Sequence, residues 1–435
     1  MAEGDRLTLR RSTAGSGLRV LVAPLPHLHT ATIAAFVKVG SRHETASDNG
    51  ISHFLEHMVF RGSRLHPSSY ALNLAIEDLG GALDGETHAD MTVFHASVPP
   101  AHAGRAADVL ADMLIRPTFA DLEIERRIVR EEMLADLDED GTDVNADNAA
   151  RRLVFAPHPL GFPIPGTLEN VARFDVDALR AHHAARYVQC NVVVVATGAV
   201  EPERVAQEIA EAFDGMPAGK PTEDASLDAV GERERFLWVD DPGSQCHLRV
   251  SFPTFGERDP RAAALHVLAR VLDDGLSSRV PRRICDETGL AYDAFGSLET
   301  WSDAGALDFG ASVAPERAGD AVSAFAELCA ELREQGPDRV ELDRVKRRWA
   351  FQLEAQADDG PSTAFFHGTA ATLGLTDLGT EAAIARARAV TLHEVREVAR
   401  EILTPQNLHT ACIGDRTAAR RARHALDRHA LEGRT

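Results

Sequence analysis

Two histidines four residues apart, with a glutamate between them, make His53-Phe54-Leu55-Glu56-His57 the run in this chain best suited to chemistry. On a helix, residues i and i+4 stand on one face about a turn apart, so both imidazoles can converge on one ion. Imidazole nitrogens at that spacing suit Zn2+, which they hold at about 2.0–2.1 Å. Glu56 lies on the flank of that face, where its carboxylate can serve as a base toward water without being a ligand. Buried His and Glu without partners would be costly among Phe54, Leu55, Met58, Val59 and Phe60. That cost argues against a merely solvated His/Glu face.

A catalytic zinc site usually takes three protein ligands and leaves one position open. The run Glu125-Arg126-Arg127-Ile128-Val129-Arg130-Glu131-Glu132-Met133 offers the third. Adjacent Glu131 and Glu132 point about 100° apart on a helix. Glu132 follows Ile128 by four and Val129 by three, which places it on the apolar stripe, whereas Glu131 shares its face with Arg127. Glu132 is the expected ligand. Glu125, two turns earlier, is expected to orient a ligating histidine from behind.

The scaffold that must hold these residues is 435 residues long, 44% hydrophobic and 26% charged, the composition of a soluble globular protein. At roughly 150 residues per domain, two or three domains are expected. Lys+Arg 46 against Asp+Glu 67 leaves a net charge of -21, which repels phosphate backbones and argues against nucleic acid as a partner. Five cysteines, Cys190, Cys246, Cys285, Cys329 and Cys412, stand far apart without a CxxC pair and read as free thiols in a reducing compartment. The first residues lack a secretory pattern, and no apolar run reaches about 18 residues. A cytoplasmic protein with no membrane partner is the expectation.

The chain also repeats itself. Ala96-Ser97-Val98 through Gly104 recurs as Ala311-Ser312-Val313 through Gly319, Asn191 through Gly198 as Asn407 through Gly414, and His53-Phe54-Leu55 as His266-Val267-Leu268. Three matches at nearly one offset predict two homologous halves. The boundaries read from them are a zinc-bearing domain over 1–216, a linker over 217–232 and a homologous domain over 233–435. Each half alternates strand-like and helix-like stretches without strict βαβ order, which predicts an α+β fold with helices on a mostly antiparallel sheet. In the second half the counterparts of Glu56, His57 and Glu132 are Ala269, Arg270 and Arg348, while Glu125 is kept as Glu341. One metal site is expected in the first half and none in the second.

These motifs resemble the pitrilysin/insulinase superfamily of zinc peptidases, whose signature is His-x-x-Glu-His. The likeness includes Gly40-Ser41-Arg42, Gly80-Gly81, the Glu125 to Glu132 segment, Pro159-Leu160-Gly161, Gly275-Leu276-Ser277-Ser278-Arg279 and Gly289-Leu290-Ala291-Tyr292. It implies that His53, His57 and Glu132 bind zinc, that Glu56 is general base, and that Asp84, Gly85, Glu86 and Thr87 form an edge strand holding peptide substrate. Two halves in a chain of this length are similar to the processing-peptidase branch, whose members pair two chains around a peptide chamber. Tyr292 matches an oxyanion-stabilising tyrosine, but the arginine expected seven residues earlier is replaced by Cys285. Arg282, one turn before it, is the alternative donor. This departure implies a heterodimer whose homologous partner supplies the missing pair; an active homodimer remains open. A non-catalytic scaffold subunit is the competing reading, against which all four intact site residues argue.

Overall fold

Val- and Ala-rich segments build two sheets in a computed structural model that describes residues 9–15, 17–227, 234–376 and 379–432. The first contains β1 (Arg10–Thr13), β2 (Arg19–Pro24), β3 (Ala31–Val37), β4 (Ala82–Thr87), β5 (Thr92–Val98) and β6 (Val192–Gly198), in the order β1-β2-β6-β3-β5-β4. Only β2 and β6 run parallel. The second contains β7 (Phe236–Asp240), β8 (Cys246–Thr254), β9 (Ala294–Thr300), β10 (Gly305–Val313) and β11 (His409–Gly414), in the order β7-β11-β8-β10-β9. Here only β7 and β11 are parallel. Without β1, the two orders correspond strand for strand. The repeated segments fall where the repeat requires, Ala96 on β5 with Ala311 on β10, and Val192 on β6 beside His409 on β11. The expected α+β class with two homologous, mostly antiparallel sheets is what the chain adopts.

β3 and β6 are buried along their full length, so both faces of the first sheet need cover. One face, carrying Val20, Ile33 and Val194, packs against Phe54, Leu55 and Met58 and against Leu110, Met113 and Leu114. These come from the helices Ile51–Val59 and Ala103–Ile115. The other face, carrying Ala34, Phe36, Val193 and Val195, is covered by Ala364, Ala370, Ala371 and Leu373. They belong to the helix Gly360–Thr372 and its end. That helix approaches so closely that a Cβ on Gly368 would lie 2.1 Å from the Phe36 ring. In the second sheet the helix Ala146–Phe155 plays the same part, laying Ala146, Ala149, Ala150 and Leu153 on Val239, Ala411 and Ile413.

Each unit therefore takes one helix from the other half of the sequence. One unit comprises residues up to Met133 with Phe162–Ala225 and Gln352–Ala383; the other comprises Leu134–Gly161, Ser226–Phe351 and the residues from Ile384. The contiguous boundaries 1–216 and 233–435 do not describe these units. The reason is that the helices Gly360–Thr372 and Ala146–Phe155 each cover the sheet of the other half. The expected linker, 217–232, is also tied down at one point. Asp224 bonds Lys38 at 3.0 Å and His43 at 3.1 Å, while residues 228–232 lie outside the described residues. Among the described residues no helix is long and apolar enough to cross a membrane.

Candidate metal centre

The helix Ile51–Val59 carries the two histidines and begins at Gly50, whose φ of 99° puts it in the left-handed region. A Cβ there would meet the Pro165 carbonyl oxygen at 2.4 Å, so glycine is required twice over. Glycine cannot cap a helix with a side chain, and a buried carboxylate does it instead. Glu44 accepts from the Gly50 N–H at 2.8 Å, the Ser52 N–H at 2.8 Å and Asn49 Nδ2 at 3.0 Å. Burial raises the Glu44 carboxyl pKa against the pull of these bonds. The Glu44 carboxylate fixes where the histidine helix starts.

The helix Leu122–Met133 packs opposite, burying Glu125, Val129 and Met133. His53 Nε2 lies 3.4 Å from Glu132 Oε1, and His57 Nε2 lies 3.2 Å from Glu132 Oε2. One ligand atom from each of the three residues falls within 4.8 Å of the others, and this is the only such group among the described residues. Behind it, Glu125 Oε1 accepts from His57 Nδ1 at 2.8 Å, which sets the tautomer and aims Nε2 at the shared point. Burial opposes charge on His57, yet the bonds to Glu125 and Glu132 outweigh it and lift the imidazole to about 10. The hydrogen bonds from His53 and His57 hold Glu132 well below the usual carboxylate range. Two imidazole nitrogens and a carboxylate gathered around a place that favours positive charge are the donor set that Zn2+ takes. The residues present fit the ion.

Glu56 is 8% exposed and stands outside this triad. Its burial raises the carboxyl pKa, which His57 and His53 pull back and Glu132 and Asp84 reinforce. The strand β4 passes beside it as the outermost strand of its sheet, paired among the described residues with β5 alone. A Cβ on Gly85 would lie 2.8 Å from the Phe60 ring and 3.2 Å from Glu56 Oε1. Glycine at 85 thus lets the edge strand run close to the base, with Asp84, Gly85, Glu86 and Thr87 all on β4.

Some details differ from the sequence expectation. Ile128, used to place Glu132 on the apolar stripe, is 45% exposed. Glu132 instead reaches the histidines from the edge of the Glu125–Val129–Met133 stripe, seven residues after Glu125. Arg282 pairs with Glu287 at 2.8 Å, and its side chain is 61% exposed, so it is spoken for locally. Tyr292 is fully exposed and belongs to the second unit. Two contributors went unread: Glu44, and Arg61, whose guanidinium bonds Asp121 at 3.0 Å and lies 3.5 Å from Glu125. Arg61 follows His57 by four, so the helical period could have found it; Glu44 had only the capless Gly50 as a signal.

In the second unit the corresponding helix is Ala262–Leu272. Arg270 bonds Asp274 at 3.1 Å, and Arg348, on the helix Arg339–Ala355, bonds the same carboxylate at 3.0 Å. His266 pairs with Glu257 at 2.6 Å, and Glu341 holds Arg279 through both oxygens at 2.9 and 2.7 Å. Every counterpart of a ligand thus meets a carboxylate.

Comparison with known proteins agrees with this division. Residues 19–155 match the family model described as insulinase (peptidase family M16), and residues 173–348 match the peptidase M16 inactive domain. An uncharacterized zinc protease of Mycobacterium bovis is 30% identical over 411 residues, covering 92% of this chain and 91% of the relative. The uncharacterized zinc protease YmxG of Bacillus subtilis is 28% identical, covering 91% of this chain and 96% of the relative. The probable mitochondrial-processing peptidase subunit beta of Arabidopsis thaliana is 32% identical, over 60% of this chain and 50% of its own length. A Helicobacter pylori protease shares the fold with a TM-score of 0.85 at 17% identity, covering 94% of this chain and all of the other. With its histidine helix in one half and an arginine-substituted copy in the other, this chain belongs to the insulinase family of peptidases, M16.

Proposed function

We propose that this chain is a zinc-dependent endopeptidase acting on extended peptide or leader segments. The observation that carries the reading is the convergence of His53, His57 and Glu132, with a separate buried base beside them. His53 and His57 would hold the ion through Nε2 and Glu132 through its carboxylate; zinc there supplies a Lewis acid and lowers the pKa of water. Glu56 does the proton work. Its raised pKa makes it a stronger base than a solvated carboxylate, able to take a proton from the attacking water and pass it to the leaving amine. Glu125 keeps the His57 tautomer fixed throughout. The open edge of β4 binds substrate through main-chain hydrogen bonds, which are largely blind to side chains.

A homologous second chain completes the site in this reading and closes a peptide chamber. Cys285 stands where a cation is expected, and Arg282 is committed to Glu287, so Tyr292 is the one oxyanion donor offered. The matched relative named as a beta subunit supports a two-chain enzyme. We place it in the cytoplasm, where its five free cysteines would stay reduced.

The test is cleavage of a fluorogenic peptide library by the zinc-loaded chain, alone and with a homologous subunit. Restoring one oxyanion donor should raise turnover by roughly 10²–10³. Full turnover by a pure homodimer would refute the two-chain part. No cleavage in any combination, with zinc bound, would refute the peptidase reading.

A further inference from the structure

On a chain of net charge -21, one groove of about 420 Å³ is lined by three arginines and a histidine beside a single carboxylate. It lies within the second unit, between the helices Ala318–Gln335 and Arg416–Glu432. The second helix buries Ala418, Ala422, Ala425 and Leu426 and turns Arg420, Arg421, His424 and Arg428 outward into the groove. Arg420, His424 and Arg428 follow one another at i, i+4 and i+8, a stripe about 12 Å long on one face. Among the described residues no carboxylate pairs with Arg420, Arg421 or Arg428. The acidic group lining the groove, Asp320, already takes Arg317 at 3.0 Å. Arg428 instead donates to the buried Ser323 hydroxyl at 2.7 Å, which holds one guanidinium over the groove floor.

We propose that this groove binds a compact anion carrying two or more linked phosphate groups. Guanidinium forks match phosphate oxygens in pairs, and several separate forks call for several anionic groups. The groove has no aromatic platform on which a base could stack, which argues against a nucleotide read through its base. The stripe is about 12 Å long, a span that suits a compact ligand rather than a long polyanion. The apolar face of the arginine helix is packed into its own unit and cannot enter a bilayer. The site is independent of the zinc centre and of the peptidase reading.

Isothermal titration of the zinc-loaded full chain with tripolyphosphate tests this. The comparisons are orthophosphate and the Arg420→Ala/Arg428→Ala variant, both substitutions lying at exposed positions of a helix. Because tripolyphosphate also chelates zinc, the readout is the difference between parent and variant, whose zinc content should be equal. We expect at least tenfold weaker tripolyphosphate binding by the variant and at least tenfold weaker binding of orthophosphate by the parent. Should the alanine variant misfold, Arg420→Gln/Arg428→Gln keeps side-chain length and takes its place. Equal binding by parent and variant, or equal affinity for one phosphate and three, would overturn the proposal. Sedimentation with phosphatidate vesicles that tripolyphosphate does not compete away would overturn it in favour of a lipid headgroup.

Discussion

The histidine helix and its copy in the second unit occupy the same place in the same topology, yet their polar groups have opposite occupations. In the first, two imidazoles and Glu132 converge and leave a position that favours a cation. In the second, Arg270 and Arg348 bring their own charge and clasp Asp274, whose side chain is 9% exposed. Asp273 beside it accepts from the Gly296 N–H at 2.9 Å and so fastens the turn to β9. The scaffold keeps its buried polar layer in both units, satisfied by hydrogen bonds and ion pairs in one and suited to a metal in the other. The copy lacks the ligand set without lacking polarity; guanidiniums stand at the counterparts of His57 and Glu132.

The largest effect should come from the group that has no role in holding the ion. Glu56→Gln should keep zinc and lose peptidase turnover by roughly 10²–10⁴, measured on any substrate the parent cleaves. Unchanged turnover would remove Glu56 from the chemistry. Glu125→Gln sharpens the comparison from the other side, because Glu341 retains that carboxylate where no metal is expected. Its loss should weaken zinc affinity by about 10–100-fold, read by competition with a chelator.

Smaller effects belong to the second unit. Asp274→Asn removes the carboxylate charge that Arg270 and Arg348 share and should destabilise by about 1–3 kcal/mol in denaturant titration, with zinc content unchanged. Altered zinc content would mean that the two regions are not independent. Arg282→Ala should do least, within about 0.5 kcal/mol and without effect on turnover, since its guanidinium sits on Glu287 at the surface. A clear loss of turnover would return Arg282 to the site.

What the sequence made legible follows the reach of local geometry. His53, Glu56 and His57 could be placed because four residues make one helical turn, and the repeat exposed the arginine replacements directly. Glu132 was reached through Ile128, a neighbour that proves exposed, so the carboxylate that meets the two histidines came from a partly mistaken stripe. The exchanged helices were not legible. Their positions match in both halves, and nothing in an Ala- and Gly-rich segment such as 360–372 says which of two similar sheets it will cover. The partners of Asp274 lie four residues before it and on a distant helix, and only the folded chain brings them together. Glu44 was hidden for the same reason, being a cap supplied from outside the helix it caps.

Metal analysis tests the central contrast most directly, with the parent compared with His53→Ala/His57→Ala and with His266→Ala. One zinc per chain in the parent and in His266→Ala, and none in the double variant, is the predicted result. Two equivalents per chain, or one that survives the loss of both His53 and His57, would contradict the assignment of a single centre to the first unit.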